Sequence, residues 1–267
     1  MPELPEVETF ARSLRPELTG RTIISAQLRW ARSLAAPTSP EEFTRVLRGE
    51  TIQSVGRRAK YLLIGLKNAT LLIHLRMSGD LRLLAPGEEF AKHDRLILTL
   101  DDGRALAFND PRKFGRLWLT ADPATVTGRL GPEPLSDDFS ADWLYAALQA
   151  HHRQLKPLLL DQTFLAGLGN IYSDEACHLA GLHPARISDT ISPQESARLR
   201  EAIRATLNAG IAHHGASIDW VYRGGGFQNH FRVYGRGGQA CPVCGTPIQR
   251  IVLGQRGTHF CPACQPR

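Results

Sequence analysis

Two groups of residues have the types and spacing to do chemistry. The first opens the chain as Met1-Pro2-Glu3-Leu4-Pro5-Glu6-Val7-Glu8. Met1 precedes a small residue, so its removal is expected, and removal leaves Pro2 with a free secondary amine. An α-amino group titrates near pH ~8, so a useful share of it is neutral at pH 7. A neutral secondary amine attacks an aldehyde or a sugar C1′ and gives an iminium ion. Glu3 beside it and Glu6 one turn on are the carboxylates that general acid/base steps need. The alternative is a plain helix start, with Pro5 as the first helical residue and the acids at the positive end of the helix dipole.

The second group is Cys241-x2-Cys244-x16-Cys261-x2-Cys264. Each pair can hold two thiolates on one tight knuckle, and two knuckles complete a tetrahedral S4 site for one Zn2+. Such a site leaves no open ligand position, so its metal is structural. Two disulfides or a redox pair would use the same residues. A basic chain with no apolar leader points to the cytosol, where disulfides are rare. The fifth cysteine, Cys177, stands in an apolar helical stretch and reads as core filling.

Weaker signals lie between these groups. Residues 165–172 make a glycine-rich turn that opens a helix at Asn170, where free N–H groups suit a phosphate; plain helix entry is the alternative. Residues 109–115, Asn-Asp-Pro-Arg-Lys-Phe-Gly, form a basic loop with one aromatic, suited to insertion into a base stack or, alternatively, to folding Phe114 into the core. Residues 74–79 end a strand with Met77 at the tip. Residues 56–60 carry three cations, a solvated face or a phosphate contact.

The positioning elements follow from periodicity. Val7, Phe10, Ala11 and Leu14 repeat at helical spacing, so a helix runs from about Pro5 until Pro16 kinks or ends it. The period changes to two for strands at 22–28, 51–55, 61–66, 70–75, 79–83, 95–100, 104–108 and 115–119, with a helix at 39–47. Many short strands with tight turns predict an antiparallel sandwich or barrel. Proline and glycine at 121–140 suit a linker. Helices follow at 140–150, 157–162, 170–180 and 192–213, the last opened by a capping box at Ser192 and Glu195. A hairpin joins the two cysteine knuckles.

The 267 residues allow two domains with real cores. The 42% hydrophobic share and the lack of any apolar run of membrane length fit a soluble chain. The net charge of +6 suggests a polyanionic partner, and the region from Gly215 onward holds six arginines against one acid, Asp219.

Taken together, residues 2–8, Lys60 to Leu63, 74–79, 109–115, Lys156-Pro157, 168–172, 233–236 and the finger ending Gln255-Arg256-Gly257-Thr258 resemble the formamidopyrimidine-DNA glycosylase family, over the whole chain and in order. The resemblance implies an α+β fold in two domains. An N-terminal helix and antiparallel β-sandwich (1–120) would precede a linker (121–140), a helix–two-turn–helix domain (141–231) and a zinc finger (232–267). It implies a monomeric, bacterial, cytoplasmic and nucleoid-associated base-excision enzyme that grips double-stranded DNA with oxidised bases and flips the damaged nucleotide. Pro2 would be the nucleophile, Glu3 the acid/base and Glu6 its support, with β- and δ-elimination cutting the strand. Lys60 would contact the lesion or its phosphate. His93, Lys156, Asn170 and Arg256 would hold the backbone, and Met77, Arg112 and Phe114 would fill the hole, with Arg112 reading the orphaned cytosine. Ala59 departs from the usual glycine. The loop at 217–231, with three glycines at 224–226, would be mobile and would cover the base, its unshielded N–H groups donating to it. An oxidised-pyrimidine enzyme like endonuclease VIII, or a zinc-ribbon binder without catalysis, are the competing readings. Leu4 and the Arg112/Phe114 pair favour the purine enzyme, and Pro2 beside Glu3 argues against a mere binder.

Overall fold

The computed structural model describes residues 1–217 and 224–267. Helix α1 (Leu4–Leu18) is followed by β1 (Ile23–Leu28), β2 (Leu34–Ala36), α2 (Pro40–Leu47), β3 (Ser54–Arg58), β4 (Tyr61–Gly65) and β5 (Thr70–His74). Then come β6 (Asp80–Leu84), β7 (Asp94–Leu100), β8 (Ala105–Asn109), β9 (Arg116–Thr120) and a short α3 (Ala124–Thr127). The second part carries α4 (Ala141–Gln149), α5 (Leu155–Leu159), α6 (Asn170–Ala180), α7 (Pro193–Ala212), β10 (Gln249–Leu253) and β11 (Arg256–Phe260). Contacts divide the chain near Arg129, and Leu130–Ala216 groups with Gly226–Arg267, so helices and finger form one unit.

In the first unit, a four-stranded sheet ordered β1-β7-β8-β6 and a five-stranded sheet ordered β2-β9-β5-β4-β3 share one core. Alternation decides which side chains enter it. Leu62 and Ile64 of β4, Leu71 and Ile73 of β5, and Leu96, Leu98 and Leu100 of β7 point inward. Helix α1 adds Val7, Phe10, Leu14 and Leu18, and each such fully buried side chain contributes roughly 1.5–3 kcal/mol.

The sandwich matches the expected class, with local corrections. Helix α1 runs through Pro16 to Leu18 rather than stopping, because Leu14 and Leu18 lie one turn apart in the same core and Arg15 Nε donates to Val55 O at 2.8 Å. Strand β3 is three residues later than expected. Thr51 only bridges Thr22, and the cationic stretch is itself the strand. Arg57 is therefore no solvated cation; it pairs with Glu8 at 2.9 Å. Strand β2, parallel to β9, and helix α3 carried too few residues for their patterns to show. Helix α5 starts two residues earlier, at Leu155.

Register brings the working loops to one end. Tyr61 opposes His74, and His74 opposes Arg116, in the larger sheet. Asp80 and Asp94 both oppose Asn109 in the smaller one. The Ala59-Lys60 turn, residues 75–79, residues 110–115 and His93 therefore cluster there. Helix α1 follows suit: Glu8 sits at Arg57 and Arg15 at Val55, so its start points to the same end.

Ala59 begins the two-residue β3–β4 turn at φ 51°. A left-handed Ala costs about 1–2 kcal/mol, against a glycine entropy penalty of about 0.5–1 kcal/mol. Ala59→Gly should raise the melting temperature by about 1–3 °C. A lower melting temperature in a thermal scan would mean that the turn carries no strain.

Candidate active site and nucleic-acid surface

Glu3 stands at the N-cap of α1 and Glu6 at its third position, and together they form a capping box. The Glu6 carboxylate accepts the Glu3 N–H at 2.7 Å. Both acids are 2% exposed. Pro2 is buried and Met1 before it is exposed. The same residues thus serve both readings of the first stretch: the acids that cap the helix also fix the backbone next to Pro2. Lys60 is buried in the turn at this end.

Next to Lys60, His74 is buried and meets Tyr61 edge-on, with ring centroids 4.7 Å apart. Burial, then the charges of Arg76 and Lys60, push its pKa down to about 3. Its Nδ1 accepts the Arg76 N–H at 3.0 Å, so the ring is a neutral acceptor that shapes the turn carrying Met77. Burial raises the Tyr61 hydroxyl above its ordinary value, and the Arg76 charge opposes that.

The loop after β8 presents Arg112, Lys113 and Phe114 to solvent. Phe114 is 50% exposed, and Arg112 lies 5.0 Å over its ring. Phe108, by contrast, is 1% exposed and belongs to the core. Met77 is half-buried at the neighbouring tip. The Nδ1 of His93 faces the Arg95 guanidinium at 3.2 Å. Arginine only donates, so that nitrogen accepts and Nε2 carries the proton.

The second unit supplies a different surface. Gln162 shapes the turn before α6: its amide donates to Leu160 O and Leu168 O, and its Oε1 accepts the Gly167 N–H at 3.0 Å. Helix α6 then starts at Asn170 with no side chain capping it and no acid in its first turn. Asn170 Oδ1 is buried without a hydrogen-bond partner.

One turn on, α6 holds the finger. Lys156 Nζ lies 2.6 Å from Asp174 Oδ1, and both side chains are 0% exposed. The same ammonium donates to Gly257 O and Thr258 Oγ1, each at 3.0 Å. Asp174 also accepts the His259 N–H at 2.9 Å. Lys156 therefore has no surface for a phosphate, and the expectation that it holds one is corrected: its charge is spent inside the protein. Adjacent Glu175 accepts N–H groups from Arg232, Val233 and Tyr234 at 2.8, 3.0 and 2.8 Å. Burial raises its pKa, and these three donors oppose that.

The four cysteine sulfurs lie within 4.8 Å of one another, with Cys241–Cys264 at 3.8 Å and Cys244–Cys261 at 3.4 Å. Tetrahedral Zn–S bonds of about 2.3 Å place sulfurs about 3.8 Å apart, so the set fits one zinc ion. Exposed Arg256 follows the Gly254-Gln255 turn, where both residues have positive φ and Gly254 lies against Pro157. Cys177 is fully buried and its thiol is pushed up to about 12, first by burial, which fits core filling. The loop at 217–231, expected to cover the base, falls partly outside the described residues. Among those described, Gly225 N–H bonds Ser217 Oγ at 2.9 Å and Gly226 N–H bonds His213 O at 2.8 Å, so those two donors are engaged rather than unshielded.

Asp110, Asp174 and Glu175 did not stand out in the sequence. The signal was present for the last two: adjacent carboxylates inside a helix whose neighbours are apolar must find partners. For Asp110 it was an acid just past a strand end, five residues ahead of a glycine whose N–H needs an acceptor.

Comparison with known proteins agrees with this build. Residues 1–117 match the formamidopyrimidine-DNA glycosylase N-terminal domain, 130–221 its H2TH domain, and 238–267 a zinc finger found in FPG and IleRS. Sandwich, helix–two-turn–helix and finger in this order define a zinc-finger DNA glycosylase of base excision repair. Relatives named formamidopyrimidine-DNA glycosylase from Herpetosiphon aurantiacus and Chloroflexus aggregans are 47% and 48% identical, over 99% of this chain and 100% and 98% of theirs. A Lactococcus lactis FPG mutant, G226P, solved with a Fapy-dG containing DNA, is 37% identical with a TM-score of 0.92 over the full length of both chains. The chain belongs to the formamidopyrimidine-DNA glycosylase family. No helix among the described residues is long and apolar enough to cross a membrane.

The Lys156–Asp174 pair gives a test of the finger's anchorage. Lys156→Met leaves a lone buried carboxylate and should cost roughly 3–5 kcal/mol. Adding Asp174→Asn, which keeps an acceptor for His259, should recover most of that in urea unfolding of the zinc-loaded protein. Losses that simply add would show that the two groups are not coupled.

Proposed function

We propose that this enzyme removes oxidised purines from double-stranded DNA and then cuts the strand, with Pro2 as nucleophile once Met1 is gone. Supporting this is one observation above the others: Glu3 and Glu6 are buried in a capping box that holds the Pro2–Glu3 backbone at a helix N-terminus. The amine attacks C1′ and the C1′–N bond breaks, with the base leaving as the protonated species. Glu3 moves protons during ring opening. The resulting iminium acidifies the neighbouring sugar hydrogen, and β- then δ-elimination release the 3′ and 5′ phosphates. Glu6 positions Glu3, and Lys60 contacts the lesion or its phosphate.

The duplex is held by contributions from each unit. His93 offers its Nε2–H to a phosphate, and Arg112, Phe114 and Met77 fill the vacated position, with Arg112 reading the opposite base. Asn170 with the uncapped α6 start, and Arg256 on the zinc-held hairpin, take further phosphates. Lys156 acts indirectly, by fixing that hairpin. Solved relatives carried DNA containing Fapy-dG, a carbocyclic 8-oxo-G or an abasic site, which supports the same substrate class here. We place the protein in the bacterial cytoplasm, as a monomer.

Single-turnover nicking of an 8-oxoguanine·C duplex tests this. The processed protein should cut it, and Glu3→Gln should slow excision by roughly 10²–10⁴-fold. Binding without cutting by the zinc-loaded, processed protein would leave only the non-catalytic reading. Faster cutting of an oxidised-pyrimidine duplex would favour the endonuclease VIII-like one.

A further inference from the structure

The geometry points to Asp110 as a positioning residue that, through Ser78, locks the Met77 turn and the Arg112–Phe114 loop into a single wedge. This rests on the reading above, in which Met77, Arg112 and Phe114 enter the duplex. Asp110 and Ser78 are each 1% exposed. Ser78 Oγ donates to Asp110 Oδ1, and the Gly115 N–H donates to the other oxygen, Oδ2, at 2.7 Å. One carboxylate thus bonds the residue after Met77 and the residue after Phe114. Its main chain is held as well: Asp110 N–H donates to His93 O at 2.9 Å, and Arg95 Nε donates to Asp110 O at 2.8 Å.

A second contact joins the same two segments. A Cβ on Gly79 would lie 2.8 Å from Phe108 Cε2 and 2.5 Å from Leu75 O. A Cβ on Gly115 would lie 2.3 Å from Phe108 Cζ. Both loops therefore close on one ring with no space for a methyl group. Lys113 holds φ 63° between Arg112 and Phe114, a backbone turn that the Asp110 bonds on either side support. Two segments that each cross between the two sheets are joined at their bases, and their tips carry Met77 and Arg112 with Phe114.

Coupling of this kind is measurable. In single-turnover excision from an 8-oxoguanine·C duplex, Met77→Ala and Arg112→Ala should be strongly non-additive in the native background, since loss of either disables the shared wedge. In a Ser78→Ala background their effects should become additive. Ser78→Ala alone should slow excision about three- to tenfold and narrow the preference for cytosine over adenine opposite the lesion, with a melting temperature lowered by only a few degrees as the buried carboxylate loses one donor. A 2-aminopurine placed opposite the lesion should report weaker unstacking in that variant. Equal non-additivity in both backgrounds, with the native C/A ratio kept in Ser78→Ala, would overturn the coupling while leaving the enzyme reading intact. Failure of the native protein to excise 8-oxoguanine would overturn the enzyme reading instead.

Discussion

Everything at the working end depends on the strand register that sets Tyr61 against His74 and His74 against Arg116. Side chains alternate along a strand, so a slip of one residue would turn Leu62, Ile64, Leu71 and Ile73 out of the core. The hydrophobic cost of that slip locks the register, and the register then dictates where three loops emerge. The smaller sheet repeats the constraint through Asn109, opposite both Asp80 and Asp94. Chemistry-bearing residues from distant parts of the chain meet because apolar burial leaves their loops nowhere else to go. Helix α1 is subject to the same packing through Val7, Phe10, Leu14 and Leu18, and its Glu8 pairs with Arg57.

The second unit solves a different problem. A small finger has little core, here Val233, Cys241, Ile248 and Cys261, so metal ligation must hold its fold. Its placement is a separate matter, handled by α6. Asp174 draws in Lys156 and the β11 backbone, and Glu175 collects the three N–H groups at 232–234. Gln265, fully buried, adds a bond from its amide to Leu182 O at 2.8 Å. Buried charges of this sort contribute little net stability, and breaking one is costly. Their effect is positional: Arg256 is fixed relative to Asn170, on the helix that both buried acids occupy.

Much of this was legible in the sequence. Period-two runs located the long strands, the cysteine spacing located the metal site, and the Ser192/Glu195 capping box marked α7. Family resemblance, rather than any one motif, connected them. What escaped was set by tertiary contact. Strand β2 is three residues long, too short to show a period. Lys156 looks like any phosphate-seeking lysine until Asp174 is brought to it across the fold. Phe114 had no sequence feature separating core from surface. Ala59 was visible as a departure, and its positive φ gives the physical reason that glycine suits the turn.

The proposed chemistry depends on the secondary amine of Pro2, whose neighbours Glu3 and Glu6 are ordered by the helix they cap. Borohydride reduction during turnover of a lesion duplex, followed by peptide mass mapping of the trapped protein, tests it most directly. The reduced sugar remnant should map to the Pro2 nitrogen of a chain lacking Met1, and a chain retaining Met1 should trap no DNA. An adduct on Lys60 or another lysine, or equal trapping with Met1 in place, would contradict the assignment.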